Sequence, residues 1–206
     1  MSVPNTSRPM GWSHIVRLGL VQACLGAMVV LATSTLNRIM VVELALPALL
    51  PGLLVGFHYA IQMVRPRMGY GADRGRRCTP WMIGGVLTLA IGGSMAAIGT
   101  TQMAHSQAQG LALCLLAFGL IGLGVSAAGT SLLTLMSKRV PETMRAPAAT
   151  TVWVMMIMGF AITAVTIGKL IEPYSPERLI DVTAGLGVFI VLLTTLALWG
   201  LESGTQ

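Results

Sequence analysis

The sequence predicts an all-α, polytopic membrane protein with six transmembrane helices, and three observations predict it. Only 10% of the 206 residues are charged while 54% are hydrophobic, against about 25% charged in an ordinary soluble domain. The apolar residues fall in six long runs, each near the roughly 20 residues that a helix needs to cross a bilayer core of about 30 Å. The Lys and Arg residues collect in alternate connections between those runs, as the positive-inside rule describes for multi-pass proteins.

Taken in order, the expected spans are residues 15–36, 44–63, 80–99, 110–135, 149–168 and 182–201, forming one six-helix bundle over 1–206. Around the first, Arg8 and Arg17, an apolar run and then Ala32, Thr33 and Ser34 make a leader-like layout. Further spans follow it, so a retained first helix is expected rather than a cleaved leader. The second carries Pro47 and Pro51 in its first turns, where a missing backbone N–H costs little. The third holds Gly84, Gly85, Gly92, Gly93 and Ala97, and the fourth Gly119, Gly122, Gly124, Ala127, Ala128 and Gly129. Such small-residue faces allow close helix approach, where van der Waals packing replaces the hydrophobic drive that lipid cannot supply.

Ten of the thirteen basic residues lie on one side. They are Arg8 and Arg17 in the N-terminal segment, Arg65, Arg67, Arg74, Arg76 and Arg77 after the second span, and Lys138, Arg139 and Arg145 after the fourth. The other side holds Arg38, Lys169 and Arg178. Both termini are therefore expected in the cytoplasm. The +6 charge reads as topology and attraction to anionic headgroups rather than as nucleic-acid binding. Trp12, Trp81, Trp153 and Trp199 fall near span ends, where indole rings suit the headgroup region. Cys24, Cys78 and Cys114 form no CxxC pair and no metal-ligand spacing and read as unpaired packing residues. The 14 methionines, Met155, Met156 and Met158 among them, read as fillers of irregular gaps.

Several residues go beyond packing. Residues 65–77 read R-P-R-M-G-Y-G-A-D-R-G-R-R. A topogenic loop accounts for the arginines. It does not account for Gly69, Gly71 and Asp73 in that order, where glycines permit a tight turn and close backbone approach. Arg38 and Glu43 lie at the outer ends of the first two spans and read as an interfacial ion pair or, with Asn37, as a partner contact. Lys169 and Glu172 are spaced to pair locally. His58 is the one histidine expected well inside a span. A hydrogen bond between helices is the plain reading, and ligation of a metal centre the sharper one. No catalytic triad, phosphate-binding glycine loop or metal-binding helix motif is visible, so enzymatic activity is not expected.

The 65–77 stretch resembles the G-x-x-x-D-R-x-G-R-R signature of the major facilitator superfamily. Gly69, Asp73, Arg74, Gly75, Arg76 and Arg77 match, with one residue fewer between Arg74 and Gly75. The resemblance implies a cytoplasmic latch, in which the acid and arginines close a gate against the opposite half of the fold. The run S-T-L-N-R-I-M-V-V-E-L at 34–44, together with Pro47, Ala48, Phe57, His58, Tyr59, Arg65, Pro66, Gly69, Tyr70 and Asp73, resembles one family in that superfamily. It is the bacteriochlorophyll delivery family, the PucC/LhaA-type light-harvesting assembly proteins.

That resemblance covers one half of a twelve-span fold. It implies an assembly factor in the inner or intracytoplasmic membrane that binds antenna polypeptides, bacteriochlorophyll or both, with His58 as a candidate pigment ligand and no protein-bound metal. Two other readings stand beside it: half of a secondary transporter, and a permanent structural subunit of a photosynthetic complex. The expected partners are light-harvesting polypeptides or another photosynthetic membrane protein, membrane lipids, and a second copy or a second half of the fold.

Overall fold

A computed structural model describes residues 10–74 and 77–202, with the side chains of residues 70–74 outside the description. Every regular element among the described residues is helical. Seven helices are named here: α1 Trp12–Glu43, α2 Leu49–Ile61, α3 Arg65–Arg74, α4 Thr79–Gln102, α5 Gln107–Arg139, α6 Glu142–Ile171 and α7 Pro176–Leu198.

Five of them, α1 and α4 to α7, are long and apolar enough to cross a membrane. The sixth expected span falls on α2, whose 13 residues rise only about 20 Å. A 3₁₀ turn at Gln62–Val64 carries the chain on into α3, which holds Arg65, Arg67 and Arg74. Six helices thus follow the order of the expected spans, five of them long and apolar enough to cross.

Two expectations need correction. The first span does not stop at residue 36. It runs to Glu43 through two π-helical stretches, Leu31–Thr35 and Ile39–Glu43, so Asn37, Arg38 and Glu43 sit on a helix and not in a loop. The helix tolerates these charges because they pair, as described below. After it the chain reverses through Ala45, whose φ is +51°, and α2 begins only at Leu49, beyond Pro47. The second correction concerns residues 65–77. Helix α3 occupies most of the stretch expected to turn at Gly69 and Gly71. Gly69 serves close approach instead: a Cβ there would stand 3.0 Å from Thr130 Cγ2 on α5.

The tightest seam joins α4 and α5, and its cause is a seven-residue spacing. Gly85, Gly92 and Gly99 on α4 face Gly110, Ala117 and Gly124 together with Cys114, Ile121 and Ala128 on α5. A Cβ on Gly92 would meet the Ala117 carbonyl at 2.9 Å, and one on Gly124 the Gly85 carbonyl at 2.6 Å. A strict seven-residue repeat keeps one stripe of each helix against its partner. Gly93 lets Met28 of α1 approach from another side. The α1–α6 seam is also close, with Gly19 under Met155, Gly159 against the Ala23 backbone and Gly26 under the Phe160 ring.

The principal contacts pair α4 with α5, α1 with α6, α4 with α7, α1 with α7, and α5 with both α2 and α3. Exchanging the first three of those six helices with the last three maps this set onto itself. The α1–α6 pair goes to α5–α2, the α4–α5 pair goes to α7–α1, and α4–α7 goes to itself. This is the pairing that a nested three-plus-three repeat produces.

Arg17, Arg139, Arg145 and the exposed Arg77 share one end of the bundle, and its contacts fasten the ends of several helices. Met10 N–H donates to the Arg139 carbonyl at 3.1 Å. Arg17 donates to the Ala197 carbonyl at 2.7 Å and to that of Trp199. Arg145 donates to the Ser137 carbonyl at 3.1 Å.

Candidate functional site

A cleft of about 550 Å³ opens between α1, α2, α5 and α6, within the roughly 300–1,000 Å³ usual for small-molecule sites. Its walls are mostly apolar. The aromatic rings are Tyr59, Trp153 and Phe160, and the polar groups are Gln22, His58, Gln62, Arg65 and Thr130. Among the described residues no Asp or Glu lines it.

The cleft arises where α2 crosses α5. Gly122 accepts the α2 backbone so closely that a Cβ would lie 2.8 Å from the His58 carbonyl, whereas Gly129, farther along the same helix, has nothing within 4 Å. The helices touch at one level and part at the next.

Three side chains on α2 and the turn after it form a directed hydrogen-bond chain. Arg65 donates to Gln62 Oε1. That contact turns the Gln62 amide nitrogen toward His58 Nε2, 2.7 Å away. An amide nitrogen can only donate, so Nε2 accepts and the imidazole proton resides on Nδ1. Nδ1 points at the backbone of Phe118 on α5 but closes no well-formed hydrogen bond. His58 is completely buried, and its ring meets Tyr59 edge-on at 5.1 Å. The histidine is hydrogen-bonded, but within its own segment and not between helices as expected. Ligation through Nε2 requires Gln62 to move away first.

Gln22 on α1 stands in a different state. Its Nε2 donates to Met156 Sδ at 3.2 Å, while its Oε1 is buried and accepts from no group. Sequence reasoning passed over both glutamines. For Gln62 the available signal was its position four residues after His58, on the same helix face. For Gln22 it was a polar side chain inside an apolar run.

The latch residues are placed in part. Gly69 packs on α5, and Arg77 is exposed just before α4. The side chains of Asp73 and Arg74, and all of Gly75 and Arg76, lie outside the described residues. Close by, Glu202 accepts from the backbone N–H groups of Cys78 at 3.0 Å and Thr79 at 2.7 Å. A carboxylate here satisfies free donors and meets the positive end of the α4 dipole. Nothing in the sequence pointed to that residue. Cys24, Cys78 and Cys114 are all buried and form no disulfide.

At the opposite end, Arg38 lies 3.9 Å from Glu43 and 3.5 Å from Glu172. The first contact was expected. The second replaces the expected Lys169–Glu172 pair, because Glu172 has left the α6 helix and faces α1 across the α1–α6 seam. Asn37 is half-buried between the two π-helical stretches. Burial first, then the charges of Glu43 and Glu177, raise the Tyr174 hydroxyl above its ordinary pKa.

The decisive comparison is at the level of family. The chain matches the PUCC protein family over residues 35–206. It belongs to that family. It is 50% identical over 193 residues to the bacteriochlorophyll synthase 44.5 kDa chain of Rhodobacter capsulatus, covering 94% of this chain and 45% of that one. It is 30% identical over 202 residues to Protein PucC of Cereibacter sphaeroides, covering 91% of this chain and 44% of the relative. An uncharacterized protein in the puhA–bchM intergenic region of Rhodobacter capsulatus is 28% identical over 201 residues. The chain spans somewhat less than half the length of these curated relatives. No solved structure matches it. The PUCC match contains the α2 relay, the basic stretch and Glu202, whereas Gln22 precedes it.

Proposed function

We propose that this chain acts in the assembly of photosynthetic light-harvesting complexes, binding antenna polypeptides, bacteriochlorophyll or both within the membrane, and that it does so without catalysing a reaction. The observation carrying this reading is membership of the PUCC family across 35–206. The name of the Rhodobacter capsulatus relative adds bacteriochlorophyll as the pigment class. That name also says synthase, a word that describes the relative.

The geometry supports two contributions. The cleft presents aromatic faces and a few polar groups, the makeup of a site for a flat apolar ligand. The outer face of α6 offers an apolar surface to lipid or to a partner helix. Only 17% of its apolar window is covered, against 56% for α4, and Val154, Ile157, Met158, Ile162 and Val165 stand exposed along it. On the positive-inside distribution, both termini and the Arg65–Arg77 stretch would lie on the cytoplasmic side of a bacterial inner or intracytoplasmic membrane. There Gly69, Asp73, Arg74, Gly75, Arg76 and Arg77 would latch the cytoplasmic side. Arg38, Asn37 and Glu43 would meet a partner on the other.

Purification from the native membrane in mild detergent tests this reading, with an absorption spectrum and identification of co-purifying chains. Bacteriochlorophyll absorption or antenna polypeptides in the purified fraction are expected. A colourless chain with no antenna partner contradicts the proposal and moves the reading to a transporter half. A fixed stoichiometry in mature complexes moves it to a structural subunit.

A further inference from the structure

The cleft is charged toward one end and apolar toward the other. Helices α2 and α5 run in the same direction, since Gly122 lies against the His58 carbonyl and Thr130 against Gly69. The exposed Arg65 and Thr130 therefore border the cleft toward the basic stretch. Phe160 on α6, with Leu25 and Val29 on α1, lines it toward the other end, where Gly26 lets the Phe160 ring lie against α1. Tyr59 and Trp153 also border the cleft and remain 57% and 51% exposed, so the fold itself leaves these rings uncovered.

Arg65 is the one charged side chain among the described residues that line the cleft, and it forms no ion pair with any described carboxylate. Gln62 Oε1 accepts one of its five N–H donors and holds the group in place. The other donors remain for a ligand. A cation beside apolar walls draws an anion, and a guanidinium presents paired donors that match the two oxygens of a carboxylate. One positive charge balances one negative charge. A phosphate monoester carries close to two at neutral pH, more than a single arginine neutralises. A small inorganic anion would leave the apolar walls and the two uncovered rings unused.

We propose that the α1–α2–α5–α6 cleft takes a lipophilic monocarboxylic acid, with its carboxylate on Arg65 and its apolar body along Trp153 and Phe160 toward α1. This rests on the cleft being a ligand site, as proposed above, and gives its occupant an acidic head. It depends neither on the identity of a pigment nor on that of an antenna partner.

The test uses the full chain in phosphatidylcholine nanodiscs, irradiated with a diazirine-bearing palmitate, and the labelled residues are mapped by mass spectrometry. Labelling is expected to saturate and to fall on residues 152–160 of α6, the part of that helix that borders the cleft. Unlabelled palmitate should compete about tenfold or more better than methyl palmitate. Arg65→Gln should lose that preference while the diazirine methyl ester still labels residues 152–160, which shows that the cleft is intact. Arg65→Lys, which keeps the charge without the paired donors, should fall between the two. Arg67→Gln removes a neighbouring exposed charge of the same stretch and should leave the preference within about threefold of wild type. Equal competition by acid and ester, or equal losses in Arg65→Gln and Arg67→Gln, overturns the proposal and reduces Arg65 to a topogenic charge. Displacement by phosphatidylglycerol as effective as by palmitate overturns it in favour of a phospholipid headgroup. Absence of cleft labelling overturns it as well and leaves antenna assembly standing, since that reading is tested by absorption and co-purifying chains.

Discussion

The two faces of α5 show how one helix in this protein both closes the fold and leaves a site open. Its Gly110, Ala117 and Gly124 stripe lies against α4 at backbone-contact distance. Its other face, through Gly122, Val125, Gly129 and Leu133, meets α2 at one level and then borders the cleft. Both faces contain glycine. What separates them is the partner: a seven-residue repeat answered by the same repeat leaves no gap, whereas a single crossing leaves a wedge. Glycine thus marks close packing at Gly124 and open space at Gly129.

Substitution on the two faces gives the largest expected effect. Gly92→Ala places a Cβ 2.9 Å from the Ala117 carbonyl and the Ile121 side chain, and should cost about 1–3 kcal/mol through backbone displacement. Gly129→Ala meets nothing within 4 Å and gains about 0.5–1 kcal/mol of helix propensity. Thermal unfolding in detergent should move the two variants in opposite directions. Equal losses would break the comparison.

A smaller effect is expected at the basic end. Glu202→Ala removes the acceptor for the Cys78 and Thr79 N–H groups and should destabilise the bundle by about 1 kcal/mol. Glu202→Gln should retain much of that, since an amide oxygen still accepts. A midpoint unchanged in Glu202→Ala would show that this contact contributes nothing.

The opposite end should matter less. The Arg38 and Glu172 side chains are 47% and 66% exposed, and exposed pairs contribute about 0–1 kcal/mol. Arg38→Gln should lower the midpoint only slightly, and less at high salt. A large loss would mean that Arg38 contacts more than its two glutamates. The smallest change concerns Tyr174. Its pKa lies above the ordinary 10.0, so the folded state holds this proton longer than the unfolded chain does. Whatever stability the neutral form gives is complete below pH 10 and is lost as the pH rises through the raised value. The difference in ultraviolet titration between wild type and Tyr174→Phe should show phenolate appearing above pH 10.

The order of the helices, the alternating basic segments and the pairing of Arg38 with Glu43 were legible because hydropathy, charge and helix spacing are local properties. The family resemblance was legible in residues 34–44 and 65–77. The span limits were less so. Nothing local announces that α1 continues through π-helical turns to Glu43, and one of the two partners of Arg38, Glu172, lies far along the chain. The cleft was half legible. His58 stood out by residue type, and its engagement by Gln62 and Arg65 lay in local spacing that was passed over, whereas the state of Gln22 depends on how α1 and α6 meet. Glu202 lay below notice because a helix N-terminus supplied by another segment leaves no pattern at the acceptor.

The central claim, that this PUCC-family chain serves antenna assembly, is tested most directly by deleting its gene in the organism that carries it. The measurement is near-infrared antenna absorption relative to reaction-centre absorption, with antenna transcripts followed in parallel. The account predicts that antenna absorption falls while the transcripts persist, and that the wild-type gene restores it. Antenna absorption equal to the parent strain's would contradict it.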